Sequence, residues 1–249
     1  MPLIILKYTF FNILKHFIKY QCVACKTDIQ KAQTLCHLCV KGIDIIDQSS
    51  VCNKCGRYCL VDICYFCIHT PPVFQQAKAF CIYNEKSSTL IKHFKYYNDT
   101  LCEKFICEKV KLVLSNWSII KDINIMTPVP MNWFKEYLKG YNHSAKLARN
   151  LAKSVGLNFL PFLLKKKFSF YRQALSSKKE RLKNINGVFS IDERYNIIGK
   201  NILLIDDTIT TGATVNECSR VLLQAGAKSV FVLTFAKSIK DEEIFASSN

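Results

Sequence analysis

The stretch Asn201–Thr214 has the sequence NILLIDDTITTGAT and decides the fold of this chain. Its first five residues, Asn201–Ile205, form a short apolar run of the kind that becomes a buried parallel strand. Two acids, Asp206 and Asp207, follow at the carboxyl end of this run, and a loop rich in hydroxyl groups and glycine extends from Thr208 to Thr214. Because ligands of parallel sheets bind at the carboxyl ends of strands, this order predicts a binding site here.

A helix and a second strand are expected directly after the loop. Apolar residues recur with helical spacing from Val215 to Ala225, and Gly226 suits the end of a helix. Ser229–Phe235 is another apolar run and predicts a strand. The segments form one βαβ unit, which predicts an α/β fold with a Rossmann-like parallel sheet flanked by helices.

The loop and the two acids together suit a sugar phosphate. The N-terminus of a helix offers free N–H groups and a positive partial charge to a phosphate, and Gly212 permits close approach of the backbone. Further hydroxyl donors come from Thr210, Thr211 and Thr214. Ionised carboxylates only accept hydrogen bonds, so Asp206 and Asp207 suit a sugar diol or a Mg²⁺ ion. The chain has neither a dinucleotide fingerprint nor a triphosphate P-loop.

This stretch resembles the phosphoribosyl-pyrophosphate (PRPP) binding motif of type I phosphoribosyltransferases. In that family two acids hold the ribose 2′ and 3′ hydroxyls, and the following loop holds the 5-phosphate. The resemblance implies a phosphoribosyltransferase type I fold. It also implies that PRPP is held by Asp206, Asp207, Thr208, Thr210, Thr211, Gly212, Ala213 and Thr214.

Cysteines are the second marked feature, since the chain has thirteen of them and eight form C-x-x-C pairs. Two thiolates three positions apart can bind one metal, and two such pairs close a tetrahedral zinc site with four cysteine ligands. We expect one or two structural zinc ions, shared by neighbouring pairs, with an interleaved pairing as the alternative. The predicted ligands are Cys22, Cys25, Cys36, Cys39, Cys52, Cys55, Cys64 and Cys67.

Disulfides and iron–sulfur clusters are the competing interpretations of these cysteines. We expect no secretion signal, and in a reducing compartment such patterns bind metal. Four evenly repeated pairs favour zinc over an iron–sulfur cluster. Cys59 is a candidate substitute ligand. The remaining cysteines lie in apolar patterns and are expected to be small core residues: Cys81, Cys102, Cys107 and Cys218.

The predicted organisation has three parts: an amphipathic helix over residues 1–20, a double zinc-ribbon region over 21–70 and a phosphoribosyltransferase domain over 71–249. Thr70–Pro72 serves as a linker, so a chelator is expected to loosen the cysteine region and spare the C-terminal domain.

The formal net charge of +16 favours anionic partners such as PRPP, nucleic acid or an anionic membrane surface. No segment is apolar enough to span a membrane. We expect a cytoplasmic protein, with a peripheral location at the inner membrane as the alternative.

Further elements are expected between the linker and the motif. They are a strand over 77–83, a helix from Ser87 or Ser88 to Tyr96, a helix over 101–114, a strand over 123–126 and a helix over 144–155. The prolines of Thr127–Pro130 make a rigid loop at a strand end. Residues 164–184 are polar and basic, which is typical of a solvated face and also suits a lid over a polyphosphate.

The order of the two regions resembles the ComF family of bacterial competence proteins. Phe94–Lys95–Tyr96 stands where that family has F-K-Y. Thr127–Pro130 with Lys139–Asn142 resembles its P-V-P … R-G-F-N stretch, and Gln173 with Glu180–Asn184 resembles its Q … E-R … N segment. Lys139 replaces the usual arginine, which keeps the charge and loses the bidentate fork.

The wider phosphoribosyltransferase family implies further roles. Its members contact pyrophosphate with the loop that matches Val129, Pro130 and Met131, and a lid, here residues 165–184, closes over it. They position Mg·PRPP and neutralise the leaving pyrophosphate with amides, cations and metal. The implied catalytic residues are Asp206, Asp207, Arg172 and Arg181, and Lys139 is a further cation at the substrate.

The resemblance implies a PRPP-binding, phosphoribosyltransferase-like protein with a role in natural transformation and DNA uptake, and we lean towards an active transferase. The alternative is a PRPP sensor or single-stranded-DNA-binding protein without turnover, acting with DNA-uptake proteins. Phe162–Arg172, FLLKKKFSFYR, interleaves lysines and aromatics as a DNA groove would, although a partly buried strand before a lid fits it as well. A zinc-ribbon adaptor is a weaker third hypothesis.

Overall fold

The cysteine-rich part, which comes first in the chain, is built from short elements. The computed structural model describes residues 20–29, 33–97, 99–131, 136, 140–167 and 187–239, so the expected helix over 1–20 lies outside the described residues except for its last position. Two short strands, β1 (Tyr20–Gln21) and β2 (Asp28–Ile29), pair antiparallel around the first C-x-x-C turn. Helices α1 (His37–Lys41) and α2 (Tyr65–His69) each begin directly after a cysteine.

A five-stranded parallel sheet forms the centre of the fold, and an antiparallel hairpin lies beside it. The strands are, in chain order, β3 (Gln76–Ile82), β4 (Ile125–Pro128), β5 (Asn158–Phe159), β6 (Leu164–Lys166), β7 (Phe189–Ile191), β8 (Asn201–Ile209) and β9 (Ser229–Lys237). The sheet has the order β3-β9-β8-β4-β5, and all its neighbouring strands are parallel. Strands β6 and β7 form the hairpin.

Four longer helices and one 3-10 helix surround the sheet. They are α3 (Glu85–Tyr96), α4 (Thr100–Ser115), the 3-10 helix Ser118–Asp122, α5 (His143–Val155) and α6 (Ala213–Gln224). The expected start of α3 at Ser87 or Ser88 is wrong. Asn84 caps the helix by accepting from the Ser87 N–H, and the Ser87 hydroxyl accepts from the Asn84 N–H. This reciprocal capping box satisfies two backbone donors at once.

Two strand boundaries also differ from the prediction. Strand β8 continues through both acids to Ile209, where the sequence pattern ended it at Ile205. The reason is its neighbour, because β9 keeps pairing with β8 until Lys237 lies opposite Ile209. Strand β4 begins later than expected, at Ile125, and runs to Pro128. Helices α5 and α6 lie within two residues of their predicted bounds, and Gly156 ends α5 in the left-handed conformation.

The sheet has a point at which its connections change direction. After β4 the chain passes through α5 to β5 on one side, and after β8 it passes through α6 to β9 on the other. Strands β4 and β8 are neighbours, so their carboxyl ends diverge there and leave a crevice. In open α/β sheets, ligands bind at this switch point. The fold therefore places the loop after β4 beside the acids of β8.

A hydrophobic core covers each face of the sheet. Alternate residues of β8 enter the two cores: Leu203 and Ile205 pack with α3, α4 and α5, whereas Ile202 and Leu204 pack with α6 and the β6–β7 hairpin. This alternation is the period of a strand, and both faces are apolar because both are covered. The predicted fold class is confirmed: a parallel sheet flanked by helices follows a small cysteine-rich region.

The cysteine-rich region covers the free edge of strand β3. Phe80 accepts a hydrogen bond from the Ile46 N–H at 3.0 Å, and the Ile82 and Ala77 N–H groups donate to Asp44 at 2.8 Å and Lys54 at 2.9 Å. An uncovered edge strand would expose such unpaired groups. Cys22 and Cys39 also belong to the same apolar core as Leu90. The two regions thus share both backbone hydrogen bonds and buried surface.

No helix among the residues described here combines the length and the apolar composition needed to cross a membrane.

Candidate functional site

The acid pair lies at the switch point between β4 and β8. The carboxylate of Asp206 accepts a hydrogen bond from the Ser144 hydroxyl of α5 at 2.8 Å and one from the Asp207 N–H at 2.9 Å. Burial raises the pKa of Asp206, and the neighbouring Asp207 carboxylate adds to the shift. A nearby cation or hydroxyl donor stabilises the charged form of two carboxyl groups that share a buried site. The pair is therefore suited to a ligand that brings a diol.

Lys95 of helix α3 reaches the same site. Its ammonium contacts the carboxylate of Asp207, whose side chain is 8% exposed. Burial alone would lower the pKa of Lys95, but the attraction of Asp207 outweighs it and the pKa is raised. Phe94, the preceding residue, is buried in the core and fixes this end of the helix. Among the described residues, the site thus brings the Lys95 ammonium together with two acids.

The predicted phosphate loop is shorter than expected and leads directly into α6. Because β8 extends to Ile209, only Thr210, Thr211 and Gly212 lie between strand and helix. Gly212 has φ +79°, a left-handed conformation that favours glycine, and it starts the helix. The first N–H groups of an α-helix have no partner within the helix and carry its positive partial charge. Thr210 and Thr211 are exposed, so their side chains are accessible to an anion, and the Ala213 N–H at the start of the helix donates to the Thr211 hydroxyl at 3.4 Å.

The loop after β4 is held against the same crevice. The Val129 N–H donates to the Ile205 carbonyl of β8 at 2.9 Å, and the Asn142 amide donates to the Val129 carbonyl at 3.2 Å. Asn142 also caps α5 by accepting from the Ala145 N–H. Pro130 and Met131 follow and are half-buried. The three residues expected at pyrophosphate therefore lie next to the strand that carries the acids.

Several predicted site residues lie outside the described residues. These are Lys139, Arg172 and Arg181, together with most of the expected lid. The described start of that segment belongs to strand β6, where Lys165 pairs with the buried Asp192 at 2.8 Å. Leu163 and Leu164 are buried, and Phe162 is 61% exposed. Within the described residues, the stretch from Phe162 fits a partly buried strand.

Three residues of the site were not predicted as site residues: Lys95, Ser144 and Asn142. Lys95 belongs to the F-K-Y segment, so a family resemblance marked it without placing it. Ser144 and Asn142 stand at the start of α5, where Asn is a common cap. Their contacts with Asp206 and Val129 depend on how α5 packs against β8, which no local pattern encodes.

Each half of the cysteine region brings four sulfur atoms together. In the first tetrad, Cys22, Cys25, Cys36 and Cys39, and in the second, Cys52, Cys55, Cys64 and Cys67, the ligand atoms lie within 4.8 Å of one another. The Cys25–Cys36 and Cys55–Cys64 sulfur distances are both 3.7 Å. Four sulfurs at the usual zinc–sulfur distance are about 3.8 Å apart in a tetrahedron. The residues therefore fit zinc sites with four cysteine ligands each, and neighbouring pairs combine as predicted.

The surroundings of the sulfurs favour the thiolate, the form that binds metal, at some positions and disfavour it at others, since burial raises the pKa of Cys39 and of Cys67 to about 12. Hydrogen bonds from Thr27 lower the pKa of Cys25, and one from Cys55 lowers the pKa of Cys52. Backbone N–H groups of Lys54 and Cys64 also point at the Cys52 sulfur at 3.4 and 3.3 Å. Amide N–H groups commonly support metal-bound thiolates in this way. All thirteen cysteines are free, so no disulfide framework forms.

The other cysteines are packing residues, as expected. Cys81, Cys102 and Cys218 are fully buried, and Cys107 packs against the core that contains Cys81 and Cys102. Cys59 is buried beside the second tetrad, where its thiol lies 2.9 Å from the Val61 carbonyl. It does not belong to the four-sulfur group.

The second tetrad stands next to the phosphate loop. One cavity is lined by Cys55 and Cys67 on one side and by Thr211 and Gly212 on the other. The Val73 N–H, just beyond α2, donates to the Asn216 side chain of α6 at 2.7 Å. The second tetrad and the start of α6 therefore line one cavity, and the chain just after the tetrad is hydrogen-bonded to α6.

Known proteins similar to the chain match it over most of its length. Competence protein F of Haemophilus influenzae is 25% identical over 230 residues, which cover 90% of this chain and all of that protein. Competence protein ComFC of Streptococcus pneumoniae is 24% identical over 215 residues, 84% of each chain.

Comparison with solved structures finds adenine phosphoribosyltransferase with a TM-score of 0.40 and 16% identity, covering 62% of this chain and 79% of the other. No family model matches the chain.

Proposed function

We propose that this chain, as a phosphoribosyltransferase-like protein of the ComF family, binds Mg·PRPP at the carboxyl end of its sheet. The observation that carries this proposal is the arrangement at the switch point, where two acids lie on β8 and an open, glycine-started helix follows. A ribose diol suits the acids, and a 5-phosphate suits the N–H groups of α6.

The pyrophosphate of PRPP would then lie by the loop after β4. Val129 is anchored to β8 and to Asn142, so the backbone of Val129–Met131 is a fixed surface beside the acids. Lys139, Arg172 and Arg181 are the proposed cations for the leaving group. Loss of pyrophosphate from the anomeric carbon requires positioning and charge neutralisation more than proton transfer. We propose phosphoribosyl transfer as the reaction class, with Mg²⁺ bound together with PRPP.

The proposed metal centres are structural. Each tetrad supplies four sulfur ligands and leaves no ligand position open, which is typical of structural zinc. We propose that two Zn²⁺ ions hold the cysteine-rich region over the edge of β3. The eight cysteines of the two tetrads would hold these ions as thiolates, and the ions would stabilise the folded protein.

The direct test is a calorimetric titration of Mg·PRPP into the zinc-loaded full-length protein. We expect saturable binding with one ligand per chain and a dissociation constant in the micromolar range, which corresponds to a binding free energy of about −8 kcal/mol. Mg²⁺ alone and Mg·ATP serve as controls for the ion and for any polyphosphate. Absence of heat with Mg·PRPP, or equal binding of Mg·ATP, would contradict the proposal.

A second candidate function is binding of single-stranded DNA, in keeping with the role in natural transformation that we propose from the names of the relatives. Tyr96 and Tyr97 are 64% and 71% exposed at the end of α3. Lys26 and Lys92 line the same shallow cavity as these rings. Exposed aromatics beside cations are the usual platform for unpaired bases. This surface lies beside Lys95, so α3 would connect the two ligands.

Replacing both rings tests this candidate. We expect Tyr96→Ala with Tyr97→Ala to weaken binding of a fluorescein-labelled oligothymidylate by about 5-fold or more, because each stacked base contributes roughly 1–3 kcal/mol. Fluorescence anisotropy at several salt concentrations provides the measurement, and affinity should fall with salt. Phe162→Ala is the matched control, since Phe162 is equally exposed on the alternative basic stretch. If Phe162→Ala alone weakened binding, the DNA surface would lie at the hairpin.

A further inference from the structure

Lys95 makes a contact with the acid pair that no local sequence pattern requires. It comes from helix α3, which precedes the sheet strands β4 and β8 in the chain, and its ammonium touches Oδ2 of Asp207. The side chain of Lys95 is only 27% exposed and that of Asp207 only 8%. An ion pair this deep is costly to form unless both groups are held in place. The helix provides that hold, because Phe94 and Ile91 on its inner face are buried.

The two acids are supported in different ways. Asp206 accepts hydrogen bonds from Ser144 and from the Asp207 N–H, so neutral donors fix its orientation. Asp207 is oriented by a charge, that of Lys95. A carboxylate offers about four acceptor positions on two oxygens, and Lys95 occupies the Oδ2 side. Because Lys95 contacts Oδ2 of Asp207, Oδ1 is the oxygen at which a hydroxyl donor would be accepted.

Without Lys95 the acid pair would change. Two neighbouring carboxylates repel each other, and a buried charge without its counter-ion is strongly unfavourable. Asp207 would then turn its carboxylate toward water or draw in another cation, and the oxygen positions that a diol needs would be lost. The lysine acts on the orientation of the acid and has no need to touch a ligand for this effect.

We propose that Lys95 is a positioning residue that holds Asp207 in the orientation needed to accept the ribose hydroxyls. This inference rests on the proposed function, because it concerns the same ribose site. It adds a role for a fifth element, α3, to a site otherwise built from β4, β8, α5 and α6. It also separates Lys95 from the cations expected at pyrophosphate.

The test compares three ligands in the zinc-loaded full-length protein: Mg·PRPP, ribose 5-phosphate and Mg·pyrophosphate. We expect Lys95→Met to weaken both ribose-containing ligands by about 30-fold or more, which is the usual effect of truncating one partner of a buried ion pair. Mg·pyrophosphate binding should change by less than about 3-fold, since it has no ribose. Lys95→Arg keeps the charge and should recover most of the affinity.

Lys104→Met is the matched control, because Lys104 is an exposed lysine on the neighbouring helix α4 and has no role in either proposed binding surface. Thermal unfolding of each variant separates loss of fold from loss of the site, and Lys95→Arg keeps the test valid if Lys95→Met fails to fold. Weakened Mg·pyrophosphate with unchanged ribose 5-phosphate would overturn the inference and make Lys95 a pyrophosphate ligand. Tighter PRPP binding by Lys95→Met would also overturn it, since Lys95 would then compete with the ligand. Absence of PRPP binding in the unmodified protein would instead refute the proposed function itself.

Discussion

Asp206→Asn combined with Asp207→Asn is expected to abolish measurable Mg·PRPP binding and to leave the fold intact. A hydrogen bond from a ribose hydroxyl to an ionised carboxylate contributes about 1.5–3 kcal/mol to binding. Loss of both carboxylate charges is therefore expected to weaken the affinity for Mg·PRPP by more than about 100-fold. Asparagine has nearly the same shape as aspartate and retains one acceptor oxygen. The Ser144 hydroxyl can therefore still donate at position 206, and the main chain of β8 keeps its pairing with β4 and β9.

Calorimetry with Mg·PRPP measures this effect, and circular dichroism checks the fold. The double change also makes the protein more positive, which would by itself favour an anionic ligand. Asp122→Asn with Glu193→Gln changes the net charge equally at two exposed positions and is the matched control. Unchanged affinity of the acid-pair variant would remove the ribose assignment, whatever the control shows.

Removal of zinc is expected to destabilise the α/β region together with the cysteine-rich region. From the sequence, the linker at Thr70–Pro72 predicted that a chelator would spare the C-terminal domain. The structure leads us to a different expectation, because the cysteine region pairs with β3 and shares a core with Leu90. Structural zinc contributes about 10–16 kcal/mol in zinc-finger peptides. At roughly 2–4 °C per kcal/mol, the melting temperature should fall by about 20 °C or more.

Trp117 allows the two regions to be followed separately. It is 3% exposed, donates to the Gln76 side chain of β3 at 2.9 Å and packs edge-on against Phe231 of β9. Its fluorescence in a Trp133→Phe background therefore reports on the sheet. We expect its emission to shift to the red as zinc leaves. Release of zinc with an unchanged Trp117 spectrum would show that the cysteine region unfolds alone.

A variant that leaves the cysteines untouched tests the same contact between the cysteine-rich region and strand β3. Gly56 has φ +68°, and a Cβ there would lie 2.8 Å from the Ala77 carbonyl oxygen of β3. Gly199 has φ +69° with open space around it, so Gly199→Ala carries the same backbone strain without the clash. We expect Gly199→Ala to cost about 1–2 kcal/mol, and Gly56→Ala about 1–3 kcal/mol more. If denaturant unfolding gave equal losses in the free energy of unfolding for both variants, the contact between the cysteine-rich region and β3 would not stabilise the sheet.

Sequence patterns were sufficient for the order of elements along one βαβ unit and for the grouping of cysteines that lie close together in the chain. The segment from β8 through α6 to β9 is one continuous βαβ unit, so its apolar spacing predicts each element in order. The cysteine spacing predicted which four sulfurs come together, because two C-x-x-C turns joined by about ten residues meet most easily with their neighbours. Such features depend on a repeat of the backbone or on the reach of a short chain.

Element ends and long-range contacts required the folded molecule. The end of β8 at Ile209 depends on β9 pairing alongside it, and the cap of α3 depends on the turn around Asn84. Resemblance to a family marked Lys95 but could not say that it touches Asp207. That contact, and the one between Ser144 and Asp206, joins helices to a strand far along the chain.

By itself, the sequence predicted a parallel α/β fold with an acid pair before a glycine-containing loop, and a run of four cysteine pairs with metal-ligand spacing. Only the tertiary structure decided which cation orients Asp207, which hydroxyl supports Asp206, and that the cysteine region covers the edge of β3. The physical reason is that the periodicity of apolar residues indicates which faces are buried, and the spacing of residues indicates only which groups close in the chain can meet. The meeting of distant side chains depends instead on strand order and on how each helix packs across the sheet.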